Sequence, residues 1–273
     1  MDICTIGTPT FMTRVETWEC DHNQHWNVRQ YLRCFQQAGF VARDMCGVAP
    51  TGVLTQHTRF HRELLEAAPV EIRSAVVGDG PFAGVCVHVL TSDGRLSATA
   101  LDHVTGLGDL PVVASDVVKL ALPRGIDGAP HRPLASTVDT HDMVQHGYVQ
   151  PKELDHLGGL SLDWLMGRIA AASSDHMGRL GFTPEYVREH AISRMGVETK
   201  MTVFAPVPVG TRLCSTVQVA ETGRKNITLR HRFFAADGTP VAVSDQGLVA
   251  VDMTTRRATE LPEFLRKALS DNP

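Results

Sequence analysis

The sequence has little of what marks nucleic-acid binding, membrane insertion or a disulfide framework. Its 26 Lys and Arg residues are outnumbered by 30 Asp and Glu residues, so no overall basic field attracts nucleic acid or an anionic membrane. No run of about 18 apolar residues occurs, and no basic N-terminal stretch precedes an apolar run. The six cysteines include no CxxC pair, which argues against a zinc site or a disulfide scaffold. We therefore expect a soluble, cytoplasmic protein with reduced thiols and no nucleic-acid or membrane partner.

The composition is that of an ordinary globular protein. Of the 273 residues, 43% are hydrophobic and 21% are charged, which excludes disorder and allows either one large domain or two of usual size. Glycine and proline recur between residues 106 and 133, a composition typical of a connection. The sequence thus predicts two domains, residues 1–130 and 131–273.

An internal repeat supports this division. Three features recur at an offset of 134 positions (155 − 21): Asp21-His22 as Asp155-His156, Asn27 as Ser161, and Gly47 as Gly181. After Asn27 and after Ser161, apolar residues follow with helical periodicity. Asn and Ser are good N-cap residues and glycine suits the C-terminal end of a helix. Each copy is therefore predicted to contain one long amphipathic helix with matching boundaries.

Strand signals follow each predicted helix. Pro69-Val70 is matched with Pro208-Val209 at an offset of 139, and the Asp93-Gly94 turn with Asp237-Gly238 at an offset of 144. The runs around these turns are rich in Val, Leu, Thr and Phe, as in antiparallel hairpins. Each half is thus expected to be a helix covering one face of an antiparallel meander, and the two sheets are expected to pair side by side.

A dense polar segment, Cys20 to Asn27, precedes the first predicted helix. The N-terminus of a helix presents unpaired backbone N–H groups and a partial positive charge, so it polarises a carbonyl group and stabilises an oxyanion. Carboxylate and imidazole groups beside it are able to activate water. The segment is therefore the best candidate for a catalytic site.

The order Asp21-x-Asn23-Gln24-His25-x-Asn27, followed by Tyr31-Leu32, resembles the active-site segment of fatty acyl-carrier-protein thioesterases. It also resembles, more loosely, the 4-hydroxybenzoyl-CoA thioesterase-like proteins. The resemblance implies an α+β double hotdog fold, in which each tandem half is a long helix wrapped by an antiparallel sheet. It further implies hydrolysis of an acyl-CoA or acyl-carrier protein in fatty acid metabolism, with no cofactor and no metal ion.

The resemblance also implies the catalytic residues. A further Glu follows on the next strand of the plant-type enzymes, and Glu63 in Phe60-His61-Arg62-Glu63 occupies that place here. Asp21 and Glu63 are then expected to supply the carboxylate chemistry, with either one acting as nucleophile or base. Asn23 and His25 are expected to position water and substrate.

Strand alternation adds a neighbour to Glu63. It puts the side chains of His57, Arg59, His61 and Glu63 on one side of the strand. His61 and Glu63 are then expected to face one pocket.

The second copy is degenerate at this segment. Leu157 and Gly159 stand where the first copy has Asn23 and His25, so we expect one full site, in the N-terminal half, although plant-type enzymes carry it in the C-terminal half. Acyl thioesters lie between the two units of hotdog dimers, so the second half is expected to supply pocket walls. The residues expected to bind substrate are Trp26, Asn27, Tyr31, His61 and Asp155. The chain is then either a pseudo-dimeric monomer or a homodimer.

Two other functions remain open. A hotdog hydratase or dehydratase uses a motif Asp-x-Asn-Pro-x-His, whereas here His25 follows Asp21 by four positions and the proline is absent. A non-catalytic acyl-CoA-binding module retains the pocket but need not retain the polar residues together. Local structure is the simpler explanation for each residue taken singly, with Asp21 as a turn residue and His25 as a buried imidazole. A second cluster, at positions 139, 141 and 142, is interpreted as a solvated strand edge.

Overall fold

The computed structural model describes residues 2–21, 23–49, 54–134, 136, 139 and 143–271. His141 and Asp142 of the second polar cluster therefore lie outside the described residues. The helices are α1 (Val28–Met45), α2 (Leu162–Arg179), α3 (Pro184–His190) and α4 (Glu263–Asp271). None of the helices in the described ranges is long and apolar enough to span a membrane.

Helices α1 and α2 are the two helices predicted from the repeat. Each has 18 residues and begins after the expected cap. The side chain of Asn27 accepts a hydrogen bond from the Arg29 amide at 3.0 Å, which satisfies one of the N–H groups that a helix N-terminus leaves unpaired. Gly47 and Gly181 follow the two helices with φ of +62° and +90°, a conformation that favours glycine. The predicted boundaries of both helices are confirmed.

The strands form one large sheet. Twelve strands are present in the described residues: β1 Thr8–Arg14, β2 Leu54–Phe60, β3 Pro69–Val77, β4 Cys86–Ser92, β5 Arg95–Asp102, β6 Val112–Val113, β7 Val144–Tyr148, β8 Ile192–Val203, β9 Arg212–Thr222, β10 Asn226–Ala235, β11 Pro240–Asp252 and β12 Arg257–Ala258. Their order is β1-β3-β4-β5-β2-β8-β11-β10-β9-β7, with β6 beside β3 and β12 beside β11. Among the strand pairs of the described residues, only β3–β6 is parallel.

The two halves of the sheet meet at β2 and β8, which pair antiparallel from Leu54 opposite Val203 to Arg59 opposite Glu198. Helix α1 packs on the first half-sheet and against α2. Beneath α1 lies a core of buried side chains that includes Phe35, and beneath α2 a second core. Two helix-on-sheet units with a continuous sheet make an α+β double hotdog, as expected from the sequence.

Equivalent backbone hydrogen bonds in the two halves show which residues correspond in the segments that follow the helices. The amide of Ala67 donates to the carbonyl of Val15, and the amide of Gly210 donates to the carbonyl of Val149. Ala67 therefore corresponds to Gly210, an offset of 143 positions (210 − 67).

The sequence-based match of Pro69 with Pro208 at an offset of 139 was therefore wrong. Pro208 corresponds to Leu65, and helix α3 occupies part of the additional length between α2 and β8. The offset becomes 144 within the turn that joins β10 to β11. The sequence-based match of Asp93-Gly94 with Asp237-Gly238 therefore agrees with the strand registers.

The chain between β6 and β7 crosses the sheet where the halves meet. The Arg59 guanidinium donates to the carbonyls of Leu120 and Leu122, and the amide of Gly125 donates to Glu198. The ammonium of buried Lys200 donates to two carbonyls of this connection. Division of the chain into domains at residues 130 and 131, within this connection, stays a prediction.

Candidate active site

The carboxylate of Asp21 holds the loop that leads into α1. Its Oδ1 accepts hydrogen bonds from the amides of Asn23 at 2.8 Å and His25 at 3.1 Å. The Asp21 amide donates to the carbonyl of His25 at 2.8 Å. Gln24, between them, has a φ of +64°. Asp21 thus fixes the position from which the His25 side chain leaves the loop.

The second half repeats this loop almost bond for bond. Oδ1 of Asp155 accepts from the amides of Leu157 and Gly159, each at 2.9 Å. The Asp155 amide donates to the carbonyl of Gly159 at 2.8 Å, and Gly158 has a φ of +79°. The aspartate common to both halves therefore has the same structural role in each.

Glu63 contacts His25. Its Oε1 lies 3.2 Å from Nδ1 of His25, and the side chain of Glu63 is 39% exposed. The two segments are held together because the Trp26 amide donates to the carbonyl of Leu64 at 2.7 Å. The structure therefore brings together a carboxylate and an imidazole that are 38 positions (63 − 25) apart in the sequence.

Glu63 reaches this position because strand β2 ends early. The amides of His61 and Arg62 both donate to the carbonyl of Ser97, so the chain leaves the regular ladder after Phe60. The expected alternation through residue 63 was therefore wrong.

His57 lies away from Glu63 as a result. It is buried on β2, with its Nε2 2.7 Å from Oε1 of Glu198. His61 and Glu63, by contrast, share a cavity, as expected.

This first cavity has a volume of about 470 Å³ and lies between the two halves. Eight of the nine predicted site residues line it: Asp21, Asn23, His25, Trp26, Asn27, Tyr31, His61 and Glu63. The ninth, Asp155, does not line it. Val28, the first residue of α1, also lines the cavity, and its amide has no hydrogen-bond acceptor among the described residues. An oxyanion donor is thus available at the helix N-terminus.

The second half supplies the opposite wall, which the sequence predicted only in general terms. The wall consists of residues on β8, β11 and β12 and the turn between the last two: Ser193, Arg194, Met195, Gly196, Val197, Val249, Val251, Met253, Arg256 and Ala258. No local pattern marks these residues, because the pairing of β2 with β8 joins segments that are far apart in the chain.

The ionisable side chains of the first cavity differ in their partners and in their pKa values. A guanidinium nitrogen of Arg256 lies 3.9 Å from Oε2 of Glu63, beside the His25 contact. Burial and the nearby Arg59 guanidinium lower the pKa of His61 to about 4, so this imidazole is neutral at pH 7. Burial raises the pKa of Tyr31 to about 12, so its hydroxyl stays protonated. Glu63 and His25 are therefore the cavity's best-placed pair for proton transfer.

A second, smaller cavity of about 220 Å³ occupies the equivalent place on the other side of the β2–β8 seam. It is lined by Asp155, Leu157 and Gly159, which correspond to Asp21, Asn23 and His25, and by Pro206. At the offset of 143, Pro206 corresponds to Glu63. The second cavity thus lacks counterparts of the Glu63 carboxylate, the His25 imidazole and the Asn23 amide.

The side chain of Gln36, from α1, fills part of the second cavity. Its Nε2 donates to Oδ2 of Asp155 at 3.2 Å, and its Oε1 accepts from the amide of Leu162 at 3.0 Å. At the offset of 134 the corresponding residue on α2 is Ala170. The first cavity therefore has no such amide across its loop, which leaves it open to a ligand.

Within the described part of the chain, no group of three or more His, Cys, Asp and Glu residues is arranged to hold a metal ion.

Solved structures with this fold include two thioesterases. The acyl-ACP thioesterase from Bacteroides thetaiotaomicron has a TM-score of 0.58 and 11% identity, with 91% of this chain and 100% of that chain covered. The 12:0-ACP thioesterase from Umbellularia californica has a TM-score of 0.54 and 12% identity, with 89% of this chain and 94% of that chain covered. At these identities, the similarity establishes the fold. Among curated protein sequences, none is significantly similar to this chain.

A family model matches most of the chain, in two segments that correspond to the two halves. Residues 15–108 and 149–269 match the thioesterase-like superfamily. The match confirms the expected enzyme class, a thioester hydrolase. The chain belongs to the thioesterase-like superfamily.

Proposed function

We propose that the chain hydrolyses acyl thioesters of coenzyme A or acyl-carrier protein, as part of fatty acid metabolism in the cytoplasm, in the first cavity alone. The observation that carries the proposal is the contact between Glu63 and His25, 3.2 Å long, beside the N-terminus of α1. A base, a side chain that positions it and an oxyanion donor are the parts that direct hydrolysis requires.

Glu63 is the base in this proposal, and Asp21 is a positioning residue. One oxygen of Asp21 is already bound to two backbone amides, and Asp155 makes the same bonds in the half that lacks the other polar residues. Within the described residues, the polar contacts of the Glu63 carboxylate are with two side chains, those of His25 and Arg256. The carboxylate with the greater freedom to accept a proton is therefore that of Glu63.

Hydrolysis then follows a direct route. Glu63 takes a proton from a water molecule as the water oxygen attacks the thioester carbonyl carbon. The Val28 amide and the α1 dipole stabilise the oxyanion. The C–S bond breaks, the proton returns from Glu63 to the departing sulfur, and the products are a carboxylic acid and a thiol. His25 orients the Glu63 carboxylate, and Asn23 contacts the water or the substrate.

The carrier is proposed from relatives and the site. The two similar structures act on acyl groups carried by acyl-carrier protein, according to their names. All six cysteines are free, which agrees with a reducing compartment.

Since both walls of the first cavity come from one chain, we propose that one chain forms a complete site as a pseudo-dimer. Residues 1–130 would carry the catalytic side chains and residues 131–273 would form the opposite wall.

The test is thiol release from a panel of acyl-CoA and acyl-carrier-protein substrates. The expected result is release by the wild-type chain and its loss in Glu63→Gln, which keeps the shape of the side chain but cannot accept the proton. Glu66→Gln is the matched control, because Glu66 undergoes the same chemical change three positions away and does not line the first cavity.

Three outcomes would contradict the proposal. The first is no release of thiol from any substrate of the panel. The second is equal release by wild type and Glu63→Gln. The third is hydration of an enoyl-CoA without thiol release, which would assign the site to a hydratase.

A further inference from the structure

Three aromatic side chains form a wall of the first cavity next to His25. The ring centroids of Trp26 and Tyr31 are 4.5 Å apart, and those of Tyr31 and Phe60 are 5.6 Å apart in an edge-to-face arrangement. All three residues line the cavity. Such aromatic pairs add to the free energy of packing beyond the area that they bury.

Two hydrogen bonds fix this wall. The indole Nε1 of Trp26 donates to Oε2 of Glu19 at 2.9 Å, and the Leu64 amide donates to the hydroxyl oxygen of Tyr31 at 3.1 Å. Glu19 is itself buried and bound to Arg33. Because a swing of either ring would leave a buried polar group without its partner, the wall is rigid.

The space behind the aromatic wall is filled. Cys34, Phe35 and Ala38 of α1 are fully buried there, in the core between the helix and the first half-sheet. Close-packed interiors leave no channel for an alkyl chain unless side chains leave a gap. A long acyl chain therefore has no open route beneath α1.

The route into the second half is also closed. The guanidinium of Arg194 lies 5.7 Å from the ring of Phe182 and donates to the hydroxyl of Ser174 at 3.0 Å. Beyond it, Met177 and Leu248 are buried in the adjacent core. The cavity therefore ends at Arg194 on this side.

We infer that the acyl group of the substrate is compact, either a short chain or a single ring, and that the wall of Trp26, Tyr31 and Phe60 sets this limit. The inference rests on the proposed function, because the acyl group is placed beside Glu63 and His25. The cavity, about 470 Å³, lies in the lower part of the usual range for ligand pockets, about 300–1,000 Å³. The cavity must also hold the thiol-bearing end of the carrier to which the acyl group is bound.

The second half shows which residues would relax the limit. At the offsets of 134 and 143, Leu165 corresponds to Tyr31 and Val203 corresponds to Phe60. Tyr31→Leu with Phe60→Val therefore replaces two members of the wall by side chains that the same fold already carries at the equivalent places.

Two chain-length profiles test the inference. The first is kcat/KM for acyl-CoA substrates from acetyl to palmitoyl, with benzoyl-CoA included. The second is the affinity for non-hydrolysable thioether analogues of the same series, measured by calorimetry, which reports the cavity's preference even if no substrate is hydrolysed. Failure of the hydrolase proposal and failure of this inference are therefore separate results.

For the wild type, both profiles are expected to reach a maximum by about hexanoyl or benzoyl, with kcat/KM for palmitoyl roughly tenfold or more below the maximum, the discrimination that a hydrophobic pocket supplies. In Tyr31→Leu/Phe60→Val the maximum is expected to move to longer chains. Phe233→Leu is the matched control, since it truncates a buried aromatic in the core of the second half without lining the first cavity.

A wild-type profile that rises through dodecanoyl to palmitoyl in either measurement would overturn the inference. So would a shift to longer chains in Phe233→Leu equal to that in Tyr31→Leu/Phe60→Val, because the limit would then follow general loosening of the fold. If the double variant is too unstable to purify, Phe60→Val alone serves, since Phe60 is only partly buried, and an unchanged profile in it would equally count against the wall.

Discussion

The two cavities beside the β2–β8 seam share a framework and differ in chemistry. In both, an aspartate binds two backbone amides of the loop before a long helix. Only the first cavity has the pair Glu63 and His25. In the second, Pro206 and Gly159 stand at the corresponding positions.

The comparison separates residues that build the fold from residues that carry the reaction. A side chain present with the same contacts in both halves is needed to form the loop, whether or not catalysis follows. A side chain present in only one half is not needed to form the loop. By this criterion Asp21 belongs to the framework, and Glu63, His25 and Asn23 are the side chains that we propose carry the reaction.

The largest expected effect is that of Glu63→Gln on catalysis. Because the amide cannot accept a proton from water, kcat should fall by about 10²–10⁴-fold, the usual contribution of a general base. Asp155→Asn, which changes a carboxylate of the second cavity, should leave kcat unchanged. Steady-state thiol release measures both, and an equal loss in the two variants would end the distinction between the cavities.

The next effect concerns the shared aspartates. Asp21→Ala and Asp155→Ala each remove an acceptor for two backbone amides, so each should lower the free energy of unfolding by about 1–3 kcal/mol. Only Asp21→Ala should also lower kcat/KM, because His25 leaves the same loop. Urea denaturation and thiol release measure the two quantities. A loss of stability in one variant alone would contradict the equivalence of the loops.

A smaller effect is expected at Gln36. Its amide spans the second cavity between Asp155 and the Leu162 amide, so Gln36→Ala should lower the free energy of unfolding by about 1–2 kcal/mol. It should not change kcat or KM, because Gln36 does not line the first cavity. If activity changed while stability did not, the second cavity would have a functional role that this account denies.

The last comparison concerns two equivalent buried histidines, His88 and His231. Burial alone would lower the pKa of His88, but Cys86 and the carboxylate of Asp102 raise it to about 10. The residue corresponding to Asp102 is Gln246, and burial lowers the pKa of His231 to about 3. At pH 7 His88 should thus be charged and His231 neutral, which ¹⁵N NMR of the imidazoles measures.

The signs of the stability effects follow from these shifts. The folded pKa of His231 lies below the unfolded value of about 6.5, so the stability that it contributes is lost as pH falls from about 6.5 towards 3. The folded pKa of His88 lies above that value, so its contribution is lost as pH rises from about 6.5 towards 10. His231→Gln should therefore reduce the loss of stability on the acid side. Identical titration of the two imidazoles would contradict the comparison.

The sequence was sufficient for the helices and for most of the site. Asn27, Ser161, Gly47 and Gly181 mark helix ends through local capping and backbone conformation, and such signals are present in the sequence itself. The polar residues of the loop also lie within a few positions of one another, so their shared location could be predicted.

Features that depend on distant segments could not be predicted in the same way. Strand β2 was expected to continue through residue 63, but the amides of His61 and Arg62 donate to the carbonyl of Ser97. Ser97 is 35 positions (97 − 62) from Arg62 in the sequence. Gln36 reaches Asp155 only because α1 and α2 pack together. Periodicity along one segment carries no information about either contact.

The central claim is that each chain has one working site, in the first cavity. Calorimetric titration with a thioether analogue of hexanoyl-CoA tests it most directly, with Gly196→Phe as the blocking variant. A Cβ atom at Gly196, on the cavity wall, would have no neighbour within 4 Å, so the phenyl ring should enter open space. The account predicts one analogue bound per chain and none in Gly196→Phe. Two analogues per chain, or one that still binds to Gly196→Phe, would contradict it.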